Sequence, residues 1–391
     1  MKVLSLFDGM ACGMLAFQNV GVEIESYDAY EIDKYAIKTA THNFPNIRER
    51  GDVFTADFTQ YKGVDFVVGG SPCTYWSIAQ KNNRETEASG MGWELFSQYI
   101  RAIKEAEPKY FIYENNKSMS AAIRDSIDKA FGFGAVYINS ALVSAQNRQR
   151  LYWVGKRNAD GSYSKVDVEQ PQDRGILLRD ILEREAYRIP EYGNQDKARP
   201  LNALYPNNCG GFEHRIWNAK PNKQQVDLLA EPVRVGALPR PNGELSTSQA
   251  MRIYSVDGKA VTQSACGGGM GGKTGLYAVP CELQDHKAQE RIYKVENGFI
   301  EIKGKQYPIK LADGYYIIRK LTVTECKRLQ TVPEWYEFPV SNVQAYKMLG
   351  NGWTVEVIAH LIRAALTNQT AREEMVAARE EMVQMSIFDV I

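Results

Sequence analysis

A cysteine, a glutamate and a pair of arginines stand out for the chemistry they could do. Cys73 follows the apolar run of VDFVVGGSPC (64–73). A thiol at the end of a buried run becomes a nucleophile once deprotonated, and loop amides or nearby cations lower its pKa from about 8.5. The same residue type is also a common inert core side chain. Glu114 closes the apolar run YFIYE and stands in YENN (113–116), a carboxylate able to hold or move a proton. In SAQNRQRLYWVG, residues Gln146, Arg148 and Arg150 alternate. In an extended chain these three share one face, either as a clamp for a base or phosphate or as a solvated basic edge.

A second group suits a small-molecule partner. FDGMACG (7–13) turns out of an apolar run, with Phe7, Asp8, Gly9 and Gly13 in the turn. YEID (30–33) offers Glu31 and Ile32, and GDV (51–53) offers Asp52. A glycine turn, a carboxylate for ribose hydroxyls and a carboxylate for an adenine amine suit a nucleoside cofactor. The absent G-x-G-x-x-G speaks against a dinucleotide.

The elements that must position these residues follow from the pattern. Residues 3–7, 24–30, 64–70, 110–114, 135–143 and 151–155 read as strands, and stretches near 12–20, 34–43, 93–106 and 118–131 read as helices. This β-α-β alternation predicts a mostly parallel sheet covered on both faces, with ligands at the carboxyl ends of its strands. From 157 to 318 Gly, Pro and Asn are frequent, and the helical rhythm is lost apart from ILLRDILERE (176–185). It returns in LTVTECKRLQ (321–330), where Thr322 and Glu325 could form a capping box, and in TVEVIAHLIRAALT (354–367).

Composition narrows the function classes. The 391 residues suggest two domains or one domain with a large insertion. Lys and Arg total 47, as do Asp and Glu, so a nucleic-acid surface must be a local patch. No apolar run reaches the roughly 18 residues of a membrane span. The six cysteines show no C-x-x-C spacing and the four histidines are isolated, which argues against a metal site and for a reducing cytoplasm. Residues 267–275, GGGMGGKTG, satisfy the phosphate-loop pattern, but the following GLYAVPCEL has no helical period. Without a helix start there is no dipole to hold a phosphate, so a flexible or backbone-approaching glycine loop is expected instead of a triphosphatase.

Cysteine, glutamate and arginine in that chain order, on a nucleoside-binding sheet, resemble the DNA (cytosine-5) methyltransferase family of bacterial and phage type. The matching stretches are FDGMACG, YEID, GDV, GGSPCTYWS, YENN, QNRQRLYWVG, RKLTVTECKRLQTVP (319–333) and MLGNGWTVEVIAHLI (348–362). The resemblance implies an α/β fold: a Rossmann-like S-adenosylmethionine-dependent methyltransferase sheet with an inserted, loop-rich target-recognition domain. It implies a catalytic domain over 1–156 and 319–370, a target-recognition domain over 157–318 and a C-terminal tail over 371–391. By the same resemblance Cys73 would add to carbon 6 of a flipped-out cytosine, Glu114 would bind the ring, and Arg148 and Arg150 would hold the base and nearby backbone. Phe7, Asp8, Gly9, Gly13, Glu31, Ile32, Asp52, Asn351, Gly352 and Trp353 would line the S-adenosylmethionine site. The stretch after Cys73, through Gly90 and Gly92, would be a loop closing over the base. Two positions depart from the pattern: Asn116 stands where valine is usual, and Thr-Tyr-Trp follows Cys73.

The partner implied is double-stranded DNA, bound as a monomer in a bacterial or phage-infected cytoplasm and in a restriction-modification setting. The alternative substrate is transfer RNA. The insertion favours DNA, because reading a duplex needs a groove-facing surface. Within it, residues 197–223 mix basic, aromatic and asparagine side chains, as phosphate and base contacts require. At the end of the chain Gln384-Met385-Ser386-Ile387-Phe388 resembles the short peptide by which bacterial proteins bind the replication sliding clamp.

Overall fold

In a computed structural model of the chain, residues 1–78, 84–183, 231–264, 275–281 and 292–367 are described. The basic-aromatic stretch 197–223, most of the glycine stretch, and the clamp-like peptide lie outside them. The chain forms two compact units. The first comprises residues 1–139, 149–172 and 353 onward, and the second residues 140–148 and 173–352.

The first unit is built on one sheet. Strands β1 (Lys2–Leu6), β2 (Ser26–Tyr30), β3 (Arg48–Glu49), β4 (Phe66–Gly69), β5 (Tyr110–Asn116), β6 (Val136–Asn139) and β7 (Gln149–Arg157) run in the order β3-β2-β1-β4-β5-β7-β6, with β8 (Tyr163–Lys165) paired to β7. The pairs from β3 to β5 are parallel, while β7 runs antiparallel to β5 and β6. Strand order reverses between β1 and β4, which opens the crevice where such sheets bind ligands. The central strands β1, β2, β4 and β5 are almost wholly buried, as β4 illustrates with every residue inside. That is why they read as continuous apolar runs instead of alternating ones.

Helices α1 (Cys12–Val20), α2 (Lys34–Asn43), α3 (Gly90–Ala106) and α4 (Ala121–Phe131) connect the strands. Local signals bound them. Asp33 caps α2 by accepting the Tyr35 N–H, Ser120 caps α4 through the Ile123 N–H, and glycines at 21 and 132 close α1 and α4 with left-handed backbone. The core between sheet and helices joins Leu4, Leu6, Val67, Phe96, Tyr99, Phe111, Tyr113, Phe131 and Trp153. Each such side chain contributes on the order of 1.5–3 kcal/mol by leaving water.

The second unit has its own sheet and core. Seven strands, β9 (Arg234–Ala237), β10 (Arg252–Ser255), β11 (Leu276–Cys281), β12 (Ile292–Glu296), β13 (Phe299–Ile302), β14 (Lys305–Pro308) and β15 (Gly314–Arg319), lie in the order β14-β13-β12-β15-β11-β10-β9. They pack Val235, Ile253, Ala278, Val295, Ile300 and Ile309 together. A strand, not a helix, follows the glycine stretch, so a phosphate-loop context is missing. The capping box at Thr322 is present: Thr322 Oγ1 accepts the Glu325 N–H at 3.1 Å, and Glu325 Oε2 accepts the Thr322 N–H at 2.9 Å. Glu325 also holds Arg319 at 2.7 and 2.8 Å in a two-pronged buried pair. The helical expectation for 176–185 is corrected: its described part is one 3-10 turn, Leu178–Ile181. Its first N–H groups bond the carbonyls of Gly258 and Val256. The backbone is drawn sideways before a helix can propagate.

Candidate active site

The turn after β1 is strained where it approaches a ligand crevice. Phe7 and Ala11 both take positive φ, 57° and 59°, a conformation that costs a side-chain-bearing residue of order 1–3 kcal/mol. Glu31, just past β2, braces this turn: Oε2 accepts the Gly9 N–H at 2.9 Å, and Oε1 accepts the N–H groups of Ile32 and Asp33, both at 2.8 Å. A carboxylate has about four acceptor positions, so one remains for an incoming hydroxyl. Asp52 accepts the Phe54 N–H at 2.9 Å and caps a 3-10 turn, Val53–Thr55. Arg101 on α3 fixes that connection by donating to the carbonyls of Val53 and Ala56. Ile32 is 74% exposed and Phe54 45% exposed, two apolar groups beside the carboxylates of Glu31 and Asp52.

Three carboxylates influence one another here. Asp8 is buried, and its Oδ1 accepts the hydroxyls of Ser5 and Tyr27, each at 2.6 Å. Its Oδ2 and both oxygens of Glu49 are buried with no hydrogen-bond partner. Burial first, then the hydrogen bonds from Ser5 and Tyr27 working against it, and then Glu31 leave Asp8 at about 6. Burial, with Asp8 and Glu31 adding to it, pushes Glu49 to about 8. Gly13 is needed beside them, since a methyl group there would lie 2.5 Å from the Tyr27 hydroxyl.

The second cluster sits on β4 and β5. Cys73 opens a 3-10 turn, Cys73–Tyr75, at the carboxyl end of β4 and is partly exposed. The turn leans on β5: Asn115 Nδ2 donates to the Ser71 carbonyl at 3.1 Å, and the Ser71 and Tyr113 hydroxyls are 2.6 Å apart. Glu114 is held on both oxygens. Arg150 Nε lies 2.9 Å from Oε1, and the Trp353 indole N–H donates to Oε2 at 3.1 Å. The carboxylate lies over Gly70, where an added methyl group would sit 2.9 Å from Oε2.

The alternating triad divides its labour. Arg150 serves Glu114, while Arg148 is buried in the second unit, its guanidinium donating to the carbonyls of Gly350, Gly352 and Gln263. Gln146 is fully buried there, and neither of its amide atoms has a hydrogen-bond partner. Asn351 and Gly352 close the helix Asn342–Asn351 of the second unit. Trp353 begins the next segment of the first. Asn116 is buried, and its Oδ1 accepts the Ser118 hydroxyl at 2.7 Å, a polar solution where the family pattern has valine.

The profile of the C-5 cytosine-specific DNA methylases matches residues 1–367. The chain belongs to that family. It is 28% identical over 336 residues to the orphan methyltransferase M.Rho11sI of Bacillus phage rho11s, covering 75% of this chain and 65% of that protein. It is 25% identical to the type II methyltransferase M.FnuDI of Fusobacterium nucleatum, with both chains covered in full. A solved DNMT2 from Spodoptera frugiperda superposes with a TM-score of 0.55 at 18% identity, over 93% of this chain and 99% of that one, which establishes likeness of fold.

For a methylase of this kind the motifs left several site residues unnamed. Gly70 makes room for Glu114, Asn115 supports the cysteine turn, Glu49 joins the carboxylates, and Phe54 stands beside Asp52. Gly70 and Asn115 lie inside the matching stretches GGSPCTYWS and YENN, which gave them no role of their own. Glu49 and Phe54 carry no sequence signal of their own. Among the described residues no group of acidic, histidine and cysteine side chains could hold a metal ion, and no helix is long and apolar enough to cross a membrane.

Proposed function

We propose that this methylase modifies carbon 5 of cytosine within a short sequence of duplex DNA, with Cys73 as the attacking nucleophile. The observation that carries the reading is the pair of adjoining strand ends: Cys73 on the turn after β4, and Glu114 on β5 held by Arg150 and Trp353. Carbon 5 of cytosine is a weak nucleophile. The Cys73 thiolate adds to carbon 6, and the displaced electron pair makes carbon 5 enamine-like while charge gathers at ring nitrogen 3. Glu114 accepts a hydrogen bond from the exocyclic amine, and a proton shared between its other oxygen and ring nitrogen 3 neutralises the charge gathering there. Arg150 and Trp353 set the angle of its carboxylate before the base arrives, so no reorganisation is needed at the reacting moment. Loss of the carbon-5 proton restores the ring double bond and expels the thiolate. Carbon 6 is inaccessible in a stacked duplex, so the base must swing out to reach Cys73. Arg148 braces the main-chain turn 350–352 within the second unit.

The residues at the ends of β1 to β3 fit S-adenosylmethionine. The free acceptor position on Glu31 suits ribose hydroxyls, Asp52 suits the adenine amine, and Ile32 and Phe54 offer apolar faces for the ring. The unpartnered oxygens of Asp8 and Glu49 favour a cationic ligand. When bound, S-adenosylmethionine supplies the methyl group that carbon 5 takes up.

The test uses duplex DNA carrying 5-fluorocytosine with S-adenosylmethionine present: once carbon 5 is methylated it has a fluorine in place of the proton whose loss would expel the thiolate, so the thioether is trapped. The wild type should form a denaturation-resistant adduct. Cys73→Ala should form none, lose at least about 10³-fold in methyl transfer, and keep its cofactor affinity. An adduct with the alanine variant would refute the assignment. Transfer RNA run in the same methyl-incorporation assay decides between the two nucleic acids.

A further inference from the structure

Glu85 belongs to none of the motifs, yet much of the chain around Cys73 converges on it. Its Oε2 accepts the Trp76 indole N–H at 3.0 Å, and the Gly92 N–H lies 3.2 Å from each of its oxygens. Trp76 is fully buried and only three residues past Cys73. The Glu85 N–H donates to the Tyr75 carbonyl at 2.9 Å. Next to it, Arg84 donates to the carbonyls of Trp76 at 3.1 Å and Ser118 at 2.7 Å, reaching the connection that follows Glu114. Two glycines are shaped around the carboxylate. A methyl group on Gly90, which takes φ 79°, would lie 2.5 Å from Oε1, and one on Gly92 would lie 2.6 Å from Oε2. Glu85 thus bridges the cysteine turn and the first turn of α3, where the helix dipole favours a negative charge.

We propose that Glu85 is a positioning residue for the nucleophile: its carboxylate locks the turn Cys73–Trp76 against the start of α3 and so fixes where the thiol meets the base. The inference rests on the assignment of Cys73. Without Glu85 the buried indole N–H loses its partner, and the turn keeps only packing of Trp76 against α3. A nucleophile displaced by about 1 Å loses on the order of 10²-fold in rate.

The experiment measures the single-turnover rate of adduct formation on 5-fluorocytosine duplex by the full chain, with cofactor affinity and DNA KM measured alongside. Glu85→Ala should slow the adduct by roughly 10–100-fold, with cofactor affinity and KM changed less than about threefold. Glu85→Gln keeps one acceptor for the indole and should recover to within about fivefold of wild type. Trp76→Phe in the Glu85→Ala background should add little, because the two residues act as one unit. A wild-type adduct rate in Glu85→Ala would overturn the inference. So would a loss spread equally over KM, cofactor affinity and rate with no recovery in Glu85→Gln. Cys73→Ala run in parallel separates the two claims. Trapping by that variant overturns the nucleophile assignment, whereas no trapping there with unimpaired trapping in Glu85→Ala overturns the positioning role alone.

Discussion

Two carboxylate sites on the same sheet edge are built in opposite ways. Glu114 has a donor on each oxygen, one from Arg150 and one from Trp353. Asp8 raises the proton affinity of Glu49, and three of the pair's four oxygens are buried with no hydrogen-bond partner. A satisfied carboxylate is held rigid. An unsatisfied pair in low dielectric favours protons or a cation. The contrast matches the two ligands proposed: a neutral base that needs fixed donors and acceptors for a moment, and a cationic cofactor that can itself supply the missing charge.

The comparison breaks first at Glu114. Glu114→Gln keeps the shape but loses the charge that balances Arg150 and can no longer carry a proton to ring nitrogen 3. Methyl transfer should fall by about 10²–10³-fold, with cofactor affinity unchanged, in a steady-state assay on duplex DNA. A fall below tenfold would mean that the carboxylate is structural. Gly70→Ala tests the same site by sterics. The added methyl group would stand 2.8 Å from the Glu114 carbonyl and 2.9 Å from Oε2, so the carboxylate must shift. Activity should drop roughly tenfold and stability by about 1–3 kcal/mol, read from kinetics and from thermal melting.

How legible these sites were depends on what held each residue. Six of the eight strands of the first unit read as apolar runs because the sheet is covered on both faces, whereas β3 and β8 are too short to show a pattern; Cys73, Glu31 and Asp52 were legible as residues at strand ends. The second sheet lies in a stretch that reads only as a loop-rich domain, although two hairpin signals are present. Asn297-Gly298 and Lys303-Gly304 both take positive φ in two-residue turns between β12, β13 and β14. Short strands with exposed faces dilute the apolar signal that the first sheet concentrates. The alternation of Arg148 and Arg150 predicted one face. The two side chains instead serve different units, because β7 begins at Gln149 and Arg148 lies before it. Glu85 and Glu49 were invisible because their roles come from long-range burial, which spacing does not encode.

The unsatisfied site gives the smallest and most specific effect. Glu49 is raised from 4.5 to about 8 in the folded chain, chiefly by burial. A raised carboxyl stabilises the fold while it is protonated, fully below about 4.5, and that contribution is lost as pH climbs through 8. Asp8 follows the same rule but is spent by about 6. Between pH 6 and 8 the native chain therefore holds the Glu49 proton that the unfolded chain has released, and stability falls with pH. Since Glu49 is partly open to water, the fall should be on the order of 1–2 kcal/mol. Glu49→Gln cannot titrate and should flatten the melting-temperature profile across that window, while leaving the slope below pH 6 to Asp8. In the proposed placement S-adenosylmethionine favours the charged form of these carboxylates, so its affinity, measured calorimetrically, should rise severalfold from pH 6 to 8 in the wild type and stay nearly level in Glu49→Gln. Parallel pH profiles for the two proteins, in melting and in binding alike, would place the cation elsewhere and remove the distinction drawn between the two sites.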